Sequence, residues 1–283
     1  MRLRGPFRCT FNPRGHVQTA RNSRGGNGAG ATMPAMTNWV LITGGSRGIG
    51  AATALRCAAA GWDVAINYAR DGAAAEALAV RVQALGRQAL ALQADVADEA
   101  QVAAMFERLD AAGGRLAGLV NNAGIVAPAA RLEGMDMARW RRLFDVNVLG
   151  TLLCCQQAAR RMSTKHGGAG GVIVNLSSRA AEFGSAGIYV DYAATKGAVD
   201  TLTKGLAKEL IAEGIRVNGV RPGIIETDIH ATSGFTVTAP EIAASIPIQR
   251  LGRADEIAEA IVWLLSDASS YTVGALLDVA GGR

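Results

Sequence analysis

The sequence has few cysteines and histidines, and neither residue type is arranged to bind a metal or to build a disulfide framework. The four cysteines are Cys9, Cys57, Cys154 and Cys155, and the three histidines are scattered. Because the short spacings of metal ligands are missing, we predict no metal site and no histidine-based catalytic triad. We interpret the adjacent Cys154 and Cys155 as small core or interface residues, and we expect a reducing, cytoplasmic location.

The sequence also lacks long apolar runs and an evenly spread excess of charge. No apolar stretch approaches the roughly 18 residues of a membrane-spanning helix, so we expect no membrane partner. The net charge of +5 comes from residues 1–36, which carry six arginines and no acidic residue. The rest of the chain therefore sums to about −1, which gives no reason to expect nucleic-acid binding.

Residues 1–36 also lack hydrophobic periodicity and the apolar centre of a secretory signal. We predict that they form a disordered basic extension or reflect a mis-assigned start, since Met33 and Met36 lie just before the first predicted strand. A targeting segment or a binding arm is the alternative interpretation. We predict that residues 37–283 form one folded domain.

Aromatic residues make up only 5% of the chain, whereas 35 glycines and many alanines favour close packing of helices on a sheet. From Asn38 onward, short apolar runs alternate with segments of helical periodicity. The predicted strands are 38–43, 62–67, 89–93, 117–121, 171–177, 215–220 and 275–279, and the predicted helices are 48–60, 72–85, 98–112, 136–163, 190–213 and 254–266. This alternation predicts an α/β fold, a doubly wound (Rossmann) parallel seven-stranded sheet with helices on both faces, in a single domain.

One long segment, 223–252, interrupts the alternation and is rich in proline, glycine and threonine. It follows the carboxyl end of a predicted strand, where ligands bind in such sheets. We therefore expect this segment to set substrate specificity and to close over the substrate. Its side chains are neither strongly basic nor strongly apolar, and the candidates that give this mixed character are Thr227, Asp228, His230, Thr232, Phe235 and Thr238.

A glycine-rich turn, residues 43–50 (TGGSRGIG), joins the first apolar run to an alanine-rich helix. We assign Gly44 to the sharp bend, Gly48 to close approach of a pyrophosphate, and Gly50 to close helix–strand packing. Because a helix N-terminus offers free N–H groups and a positive dipole, the turn predicts a dinucleotide site. An ordinary tight turn is the alternative.

Tyr192 and Lys196 lie four residues apart in a segment of helical periodicity, so they share one helix face. A fixed positive charge beside a phenol lowers the pKa of the phenol from its usual value of about 10. We therefore predict that Tyr192 is a general acid/base for carbonyl chemistry. The alternative is an exposed amphipathic pair.

The choice of nucleotide is predicted from the glycine turn and the second strand. An NAD site usually has a carboxylate at the end of that strand to bind the ribose 2′-hydroxyl. Here the strand ends in Asn67, and Arg47 in the turn could neutralise a 2′-phosphate. Arg70 is a second candidate, with a solvated helix-start charge as its alternative role. We predict NADP rather than NAD.

Residues 38–283 resemble the compact members of the short-chain dehydrogenase/reductase family. The TGxxxGxG turn, the NNAG segment at 121–124, Asn147 within a DVNV context, the YxxxK segment at 192–196 and the PG pair at 222–223 occur in the family's order. The local sequences 189–194 and 278–282 are similar to bacterial oxidoreductases grouped with glucose 1-dehydrogenases and 3-oxoacyl-[acyl-carrier-protein] reductases.

The resemblance implies a role for each matching residue. Tyr192 would be the acid/base, Lys196 would lower its pKa and bind the nicotinamide ribose, and Ser178 would hydrogen-bond the substrate oxygen. Asn147 would hold a water that relays protons to Lys196. The implied cofactor-binding residues are Gly44, Ser46, Arg47, Gly48, Ile49, Gly50, Asn67, Asp95, Val96, Asn122, Gly124, Tyr192, Lys196, Pro222, Gly223, Ile225 and Thr227.

One position departs from the family pattern. The family commonly has its serine thirteen residues before the tyrosine, where this chain has Arg179. We assign the role to Ser178 from its position after the strand, and Ser177 is the alternative.

These features predict an NADP-dependent oxidoreductase that acts on a carbonyl or secondary alcohol of a small molecule. A catalytically silent nucleotide-binding sensor or scaffold is the alternative, but it would be expected to break the Ser–Tyr–Lys set. Epimerases and dehydratases of this fold usually carry a longer substrate domain. Small residues on helices 136–163 and 190–213, together with the resemblance, predict a homodimer or homotetramer. These features predict no particular substrate.

Overall fold

The computed structural model of the protein describes residues 37–227 and 240–283. In this part of the chain, seven strands form one fully parallel sheet in the order β3-β2-β1-β4-β5-β6-β7. The strands are β1 (Asn38–Ile42), β2 (Asp63–Tyr68), β3 (Ala89–Gln93), β4 (Arg115–Asn121), β5 (Gly171–Leu176), β6 (Ile215–Pro222) and β7 (Leu276–Val279). The predicted doubly wound α/β fold is confirmed.

Helices connect the strands and cover the sheet. They are α1 (Gly48–Ala59), α2 (Gly72–Ala84), α3 (Glu99–Ala111), α4 (Met137–Phe144), α5 (Gly150–Met162), α6 (Ala180–Phe183), α7 (Val190–Leu210), α8 (Pro240–Ala244) and α9 (Ala254–Leu265). The single helix predicted over 136–163 is instead two, because a π-helical turn, Asp145–Leu149, separates α4 from α5. The helix predicted over 190–213 ends as α7 at Leu210, and a 3-10 turn follows up to the left-handed Gly214.

Two buried clusters form the core, one on each face of the sheet. On one face, side chains of α3, α5 and α7 such as Phe106, Cys154 and Leu210 are buried. On the other face, α1, α2 and α9 contribute residues such as Leu78 and Ile261. Cys154 and Cys155 are buried free thiols, as their interpretation as core residues requires.

The order of the strands opens a crevice at the carboxyl edge of the sheet. β1 lies between β2 and β4, so the chain leaves it in one direction first and in the other later. In doubly wound sheets, ligands bind at this switch point. The glycine turn follows β1, the NNAG segment ends β4, the two serines follow β5 and the PG pair ends β6. All four motifs therefore meet at one edge.

The predicted irregular segment 223–252 is only partly described. It contains the short helix α8 and a parallel bridge between Ile225 and Gly252. The candidates Asp228, His230, Thr232, Phe235 and Thr238 lie outside the described residues, as do residues 1–36. Across the described ranges, no helix combines the length and apolarity that crossing a bilayer requires.

Candidate active site

The glycine turn has the backbone geometry that its sequence predicts. Gly44 and Gly48 have φ angles of 57° and 53°, in the left-handed region that favours glycine. A Cβ on Gly50 would lie 2.6 Å from the Gly44 carbonyl oxygen and 2.7 Å from Nδ2 of Asn122. Gly50 is therefore required for close packing of α1 on the neighbouring loops, as we predicted.

The first turn of α1 differs from those of the next three helices. Aspartate side chains cap α2, α3 and α4, each accepting a hydrogen bond from a backbone N–H of the first turn. At α1 the N-cap residue is Arg47, whose side chain makes no capping bond, and the first turn contains no acidic residue. The positive end of this helix is thus left to an external anion.

The Asn67 side chain supports the glycine turn through hydrogen bonds. Its side chain is buried, and its Oδ1 accepts a hydrogen bond of 3.1 Å from the Gly44 N–H. Its Nδ2 donates to the carbonyl oxygens of Leu92 and Ala94 at 3.2 and 3.0 Å. Both amide hydrogens are therefore engaged by the protein, and the side chain anchors the turn to β3.

Asn122 fastens the turn from the other side. Its Nδ2 donates to the carbonyl oxygens of Thr43 and Gly44 at 2.9 and 2.8 Å. The Thr43 hydroxyl accepts from the backbone N–H groups of Asn122 and Ala123 at 3.1 and 3.0 Å. The NNAG segment and the glycine turn therefore form one hydrogen-bonded unit.

The charged candidates for the adenosine half lie further out. Arg47 and Arg70 are both exposed. The Asp95 carboxylate accepts from the Ala97 N–H at 3.0 Å and from Arg142 at 2.9 Å. Val96 is buried against Gly150, where a Cβ on the glycine would lie 2.7 Å from the Val96 side chain.

Asn147 lies in the π-helical turn, with its side chain buried and fully engaged. Its Oδ1 accepts from the Ile125 N–H at 2.8 Å, and its Nδ2 donates to the Ile125 carbonyl at 3.0 Å and to the Thr195 hydroxyl at 3.1 Å. π-Helical turns are rare and occur frequently at functional sites. A Cβ on Gly124 would lie 3.5 Å from both Asn147 Oδ1 and Lys196 Nζ, so this glycine leaves space between the two side chains.

A cavity of about 540 Å³ opens beside these motifs. It brings together many of the predicted site residues, which are Ile49, Asn122, Gly124, Ser178, Tyr192, Lys196, Pro222, Gly223, Ile225 and Thr227. The remaining candidates do not line it. They are Gly44, Ser46, Arg47, Gly48, Gly50, Asn67, Asp95, Val96 and Asn147.

The two adjacent serines have different surroundings. The Ser177 hydroxyl is buried and donates to the Lys196 carbonyl oxygen at 3.1 Å, which ties β5 to α7. Both serines line the cavity, but only the Ser178 hydroxyl interacts with the Tyr192 phenol, and this side-chain hydrogen bond opposes the rise in the tyrosine pKa. The geometry therefore favours Ser178 over Ser177 as the group that meets a substrate oxygen.

Lys196 is buried on the same face of α7 as Tyr192. Its Nζ donates to the Leu176 carbonyl oxygen at 2.7 Å and lies 5.7 Å from the centre of the Tyr192 ring. Burial lowers the pKa of Lys196 to about 8, and the negative charge of Asp200 opposes this change. The Lys196 ammonium is thus hydrogen-bonded to the carbonyl oxygen of the last residue of β5.

The pKa of Tyr192 moves against our prediction. Burial raises it above 10.0, and the Ser178 hydroxyl lowers it by a smaller amount. The prediction of a lowered pKa was wrong for this structure, because removal of the phenolate from water outweighs the hydrogen bond of the Ser178 hydroxyl. The phenol keeps its proton at neutral pH.

Sequence reasoning anticipated one apolar wall of the cavity only in part, through segment 223–252, which contains Ile224 and Ile242. This wall contains Val126, Phe183, Ile188, Tyr189, Ile224 and Ile242. It is largely apolar, and it comes from loops and from two helices, α6 and α8, that are too short for a periodicity signal.

Sequence reasoning also missed a buried ion pair next to Tyr192. Arg139 on α4 donates to Asp191 through Nε at 2.6 Å and through a terminal nitrogen at 3.2 Å, and to the Pro128 carbonyl at 2.5 Å. Asp191 in turn accepts from the Tyr192 N–H at 2.9 Å. The only sequence signal was an aspartate directly before the tyrosine.

Comparison with known proteins agrees with the fold. A family profile described as "Enoyl-(Acyl carrier protein) reductase" matches residues 44–283. The chain is 51% identical to "Uncharacterized oxidoreductase YgfF" of Escherichia coli (strain K12), over 86% of this chain and 98% of that protein. It is 44% identical to "Cis-4-hydroxycyclohexanecarboxylate dehydrogenase" of Sinomonas cyclohexanicum, over 86% of this chain and 94% of that protein.

Among solved structures, the chain is similar to a short-chain dehydrogenase from Burkholderia cenocepacia J2315, crystallised in complex with NADP. The TM-score is 0.79 at 37% identity, covering 86% of this chain and 96% of the other. The chain belongs to the short-chain dehydrogenase/reductase family.

Proposed function

We propose that this protein transfers a hydride between NADP(H) and a carbonyl or secondary alcohol of a small molecule. The observation that carries the proposal is the convergence of Ser178, Tyr192 and Lys196 on one cavity at the switch point of the sheet. Each of these side chains has the chemistry that reduction of a carbonyl requires: a hydrogen-bond donor, a proton donor and a positive charge.

The residues present fit a dinucleotide. The uncapped first turn of α1 and the left-handed Gly44 and Gly48 offer backbone N–H groups to a pyrophosphate. Asn122, Gly124, Ile225 and Thr227 border the cavity beyond the turn and would hold the nicotinamide half. When bound, the cofactor supplies the hydride. The NADP complex of the Burkholderia relative supports this assignment.

NADP rather than NAD is supported by the side chains near the ribose position. Arg47 is exposed at the N-cap of α1, where a 2′-phosphate could pair with its guanidinium. The end of β2 carries Asn67 in place of a carboxylate, and both amide hydrogens of this side chain are bonded within the protein. Repulsion of a 2′-phosphate by an acidic residue is therefore missing at this position.

Tyr192 would act as the acid in carbonyl reduction. Its raised pKa keeps the phenol protonated at neutral pH, which suits donation to an oxygen that becomes negative as hydride reaches the carbon. The carbonyl carbon gains the hydride, the oxygen gains the phenolic proton, and solvent returns a proton to Tyr192. In alcohol oxidation each transfer runs in reverse.

Lys196 and Ser178 would stabilise the charges of this reaction. Below about pH 8 Lys196 stays charged, and its position near the phenol favours the phenolate that forms on proton transfer. Ser178 would donate to the same substrate oxygen. The gap that Gly124 leaves between Asn147 and Lys196 is compatible with the proposed water that relays protons to Lys196.

A cofactor-coupled screen tests the proposal. Simple ketones and β-ketoacyl thioesters would be offered with NADPH and, in parallel, with NADH, and sugars and hydroxycyclohexane carboxylates with NADP+ and NAD+. We expect turnover with NADPH or NADP+ for at least one class. Binding of neither nucleotide, or the same rates from a Tyr192→Phe variant that binds NADPH normally, would contradict the proposal.

A further inference from the structure

A buried carboxylate lies one helical turn beyond Lys196. Asp200 is 5% exposed and, four residues after Lys196 on α7, lies on the same helix face. No reaction step proposed above uses it. A buried carboxylate costs free energy unless it is well paired, so its presence in the core requires a reason.

The pairing of Asp200 is one-sided. Its Oδ2 accepts two hydrogen bonds from Arg221 on β6, at 3.0 Å from Nε and 2.7 Å from a terminal nitrogen. Its Oδ1 is buried and has no hydrogen-bond partner among the described residues. Arg221 therefore fixes the position of the carboxylate but leaves half of its acceptor capacity unused.

Arg221 is shared with other acids, so it does not cancel the charge of Asp200. It also contacts Glu182 of α6, and it lies 3.7 Å from Asp278 of β7. Arg179, which follows β5, pairs with the same Glu182 and Asp278. Three carboxylates and two guanidiniums in this cluster leave one negative charge.

The remaining charges around α7 are less able to act on Lys196. Lys204, one turn beyond Asp200, is exposed to solvent. Asp191 is bonded through both carboxylate oxygens to Arg139 of α4. The guanidinium of Arg283 lies over the Phe183 ring, 6.0 Å from its centre. Asp200 is thus the buried acid best placed to offset the charge of Lys196.

We propose that Asp200 is a positioning residue for the reaction, whose buried carboxylate, held by Arg221, keeps Lys196 in its charged form. The proposal rests on the function proposed above. It agrees with the electrostatics of the pair, since the Asp200 charge raises the pKa of Lys196 against the larger effect of burial. Without that carboxylate, Lys196 would lose its proton closer to neutral pH.

Two measurements test the proposal in the full-length protein. Competitive acetylation with acetic anhydride, followed by mass spectrometry, gives the pKa of Lys196 without any turnover. The pH profile of NADPH-dependent reduction then gives the basic limb that loss of the Lys196 proton produces. For Asp200→Asn we expect the pKa of Lys196 from acetylation and the pKa of the basic limb to fall by about one pH unit each. Arg221 keeps Glu182 and Asp278 as partners in this variant, so no charge is stranded.

Two further variants separate electrostatics from structure. Asp200→Glu keeps the charge but changes the shape, so both values should stay near those of the native protein. Asp191→Asn removes another buried carboxylate of α7 that is bonded to an arginine, and should leave the pKa of Lys196 unchanged. An unmoved Lys196 in folded Asp200→Asn, or an equal shift in Asp191→Asn, would overturn the proposal. Shifted acetylation without any reductase activity would instead refute the proposed function and leave the coupling intact.

Discussion

Tyr192 and Lys196 respond to burial in opposite directions, and together these shifts define the resting state of the site. Burial raises the pKa of the phenol and lowers that of the ammonium to about 8. Near pH 7 the phenol therefore holds its proton while the lysine is still charged. In the proposed reaction, this state is suited to giving a proton to a substrate oxygen.

Replacement of Arg47 tests the choice of nucleotide at the residue scale. Arg47→Ser should lower kcat/KM for NADPH about 10- to 100-fold, because a charged hydrogen-bond partner of the 2′-phosphate is lost. The value for NADH should change little. Steady-state kinetics with both nucleotides measure the ratio of kcat/KM for NADPH to kcat/KM for NADH.

Arg81→Ser is the matched control for this change, since Arg81 is also exposed, lies in the last turn of α2 and is not a candidate for the nucleotide site. We expect a smaller effect from it. If Arg47→Ser lowers the NADPH and NADH values equally, Arg47 does not recognise a 2′-phosphate.

The residue types of the site were predictable, but their surroundings were not. The spacing of Tyr192 and Lys196, taken together with the glycine turn and the family resemblance, marked these residues, because helical and turn geometry acts over a few residues. The direction of the Tyr192 pKa shift depends on burial by α6, α7 and the loops around them, which are distant in sequence. The separate surroundings of Ser177 and Ser178 likewise depend on where α7 passes β5.

At the scale of elements, the Arg139–Asp191 pair joins α4 to the start of α7 directly beside Tyr192. The side chains of Arg139 and Asp191 are 13% and 4% exposed, so the pair is largely desolvated. Arg139→Met would leave the Asp191 carboxylate buried without its main partner. We expect a loss of about 3–5 kcal/mol in the free energy of unfolding, measured by urea denaturation.

Arg131→Met supplies the comparison. Arg131 pairs with Glu133 at 2.6 Å, but the two side chains are 76% and 69% exposed. The change should cost less than about 1 kcal/mol. Equal losses of unfolding free energy in the two variants would show that the buried Arg139–Asp191 pair does not stabilise the packing of α7.

The order of elements followed from apolar runs and helical periodicity, since every strand except β3 and β7 is largely buried and each long helix has one apolar face. The π-helical turn at Asp145–Leu149, which separates α4 from α5, was not predicted by the periodicity. In that π-helical turn, the Asn147 side chain donates hydrogen bonds to the Ile125 carbonyl and the Thr195 hydroxyl, which lie 22 and 48 residues away. Periodicity within one segment does not predict hydrogen bonds to residues so distant in sequence.

At the scale of the whole molecule, we expect association through the outer faces of α5 and α7. Leu149 and Leu152 are 49% and 39% exposed at and after the start of α5. A Cβ on Gly197 or Gly205 of α7 would meet nothing within 4 Å, so a second helix could approach closely there. Sedimentation should give twice or four times the 29.2 kDa mass of the chain.

Leu152→Glu should shift this mass towards the monomer, because a charge would be buried in the contact. Val80→Glu is the control, since Val80 is 63% exposed on α2, away from α5 and α7. A native protein that sediments as a monomer at micromolar concentration would contradict the expected association.

The central claim is that Tyr192 protonates a substrate oxygen as hydride arrives from a bound nicotinamide. The most direct test is a single turnover with NADPH deuterated at the transferred position on C4, using the best substrate from the screen. We predict one deuterium on the carbinol carbon with the native protein. With Tyr192→Phe we predict a rate at least about 100-fold lower and unchanged NADPH binding. A product without deuterium, or transfer at the native rate by Tyr192→Phe, would contradict the claim.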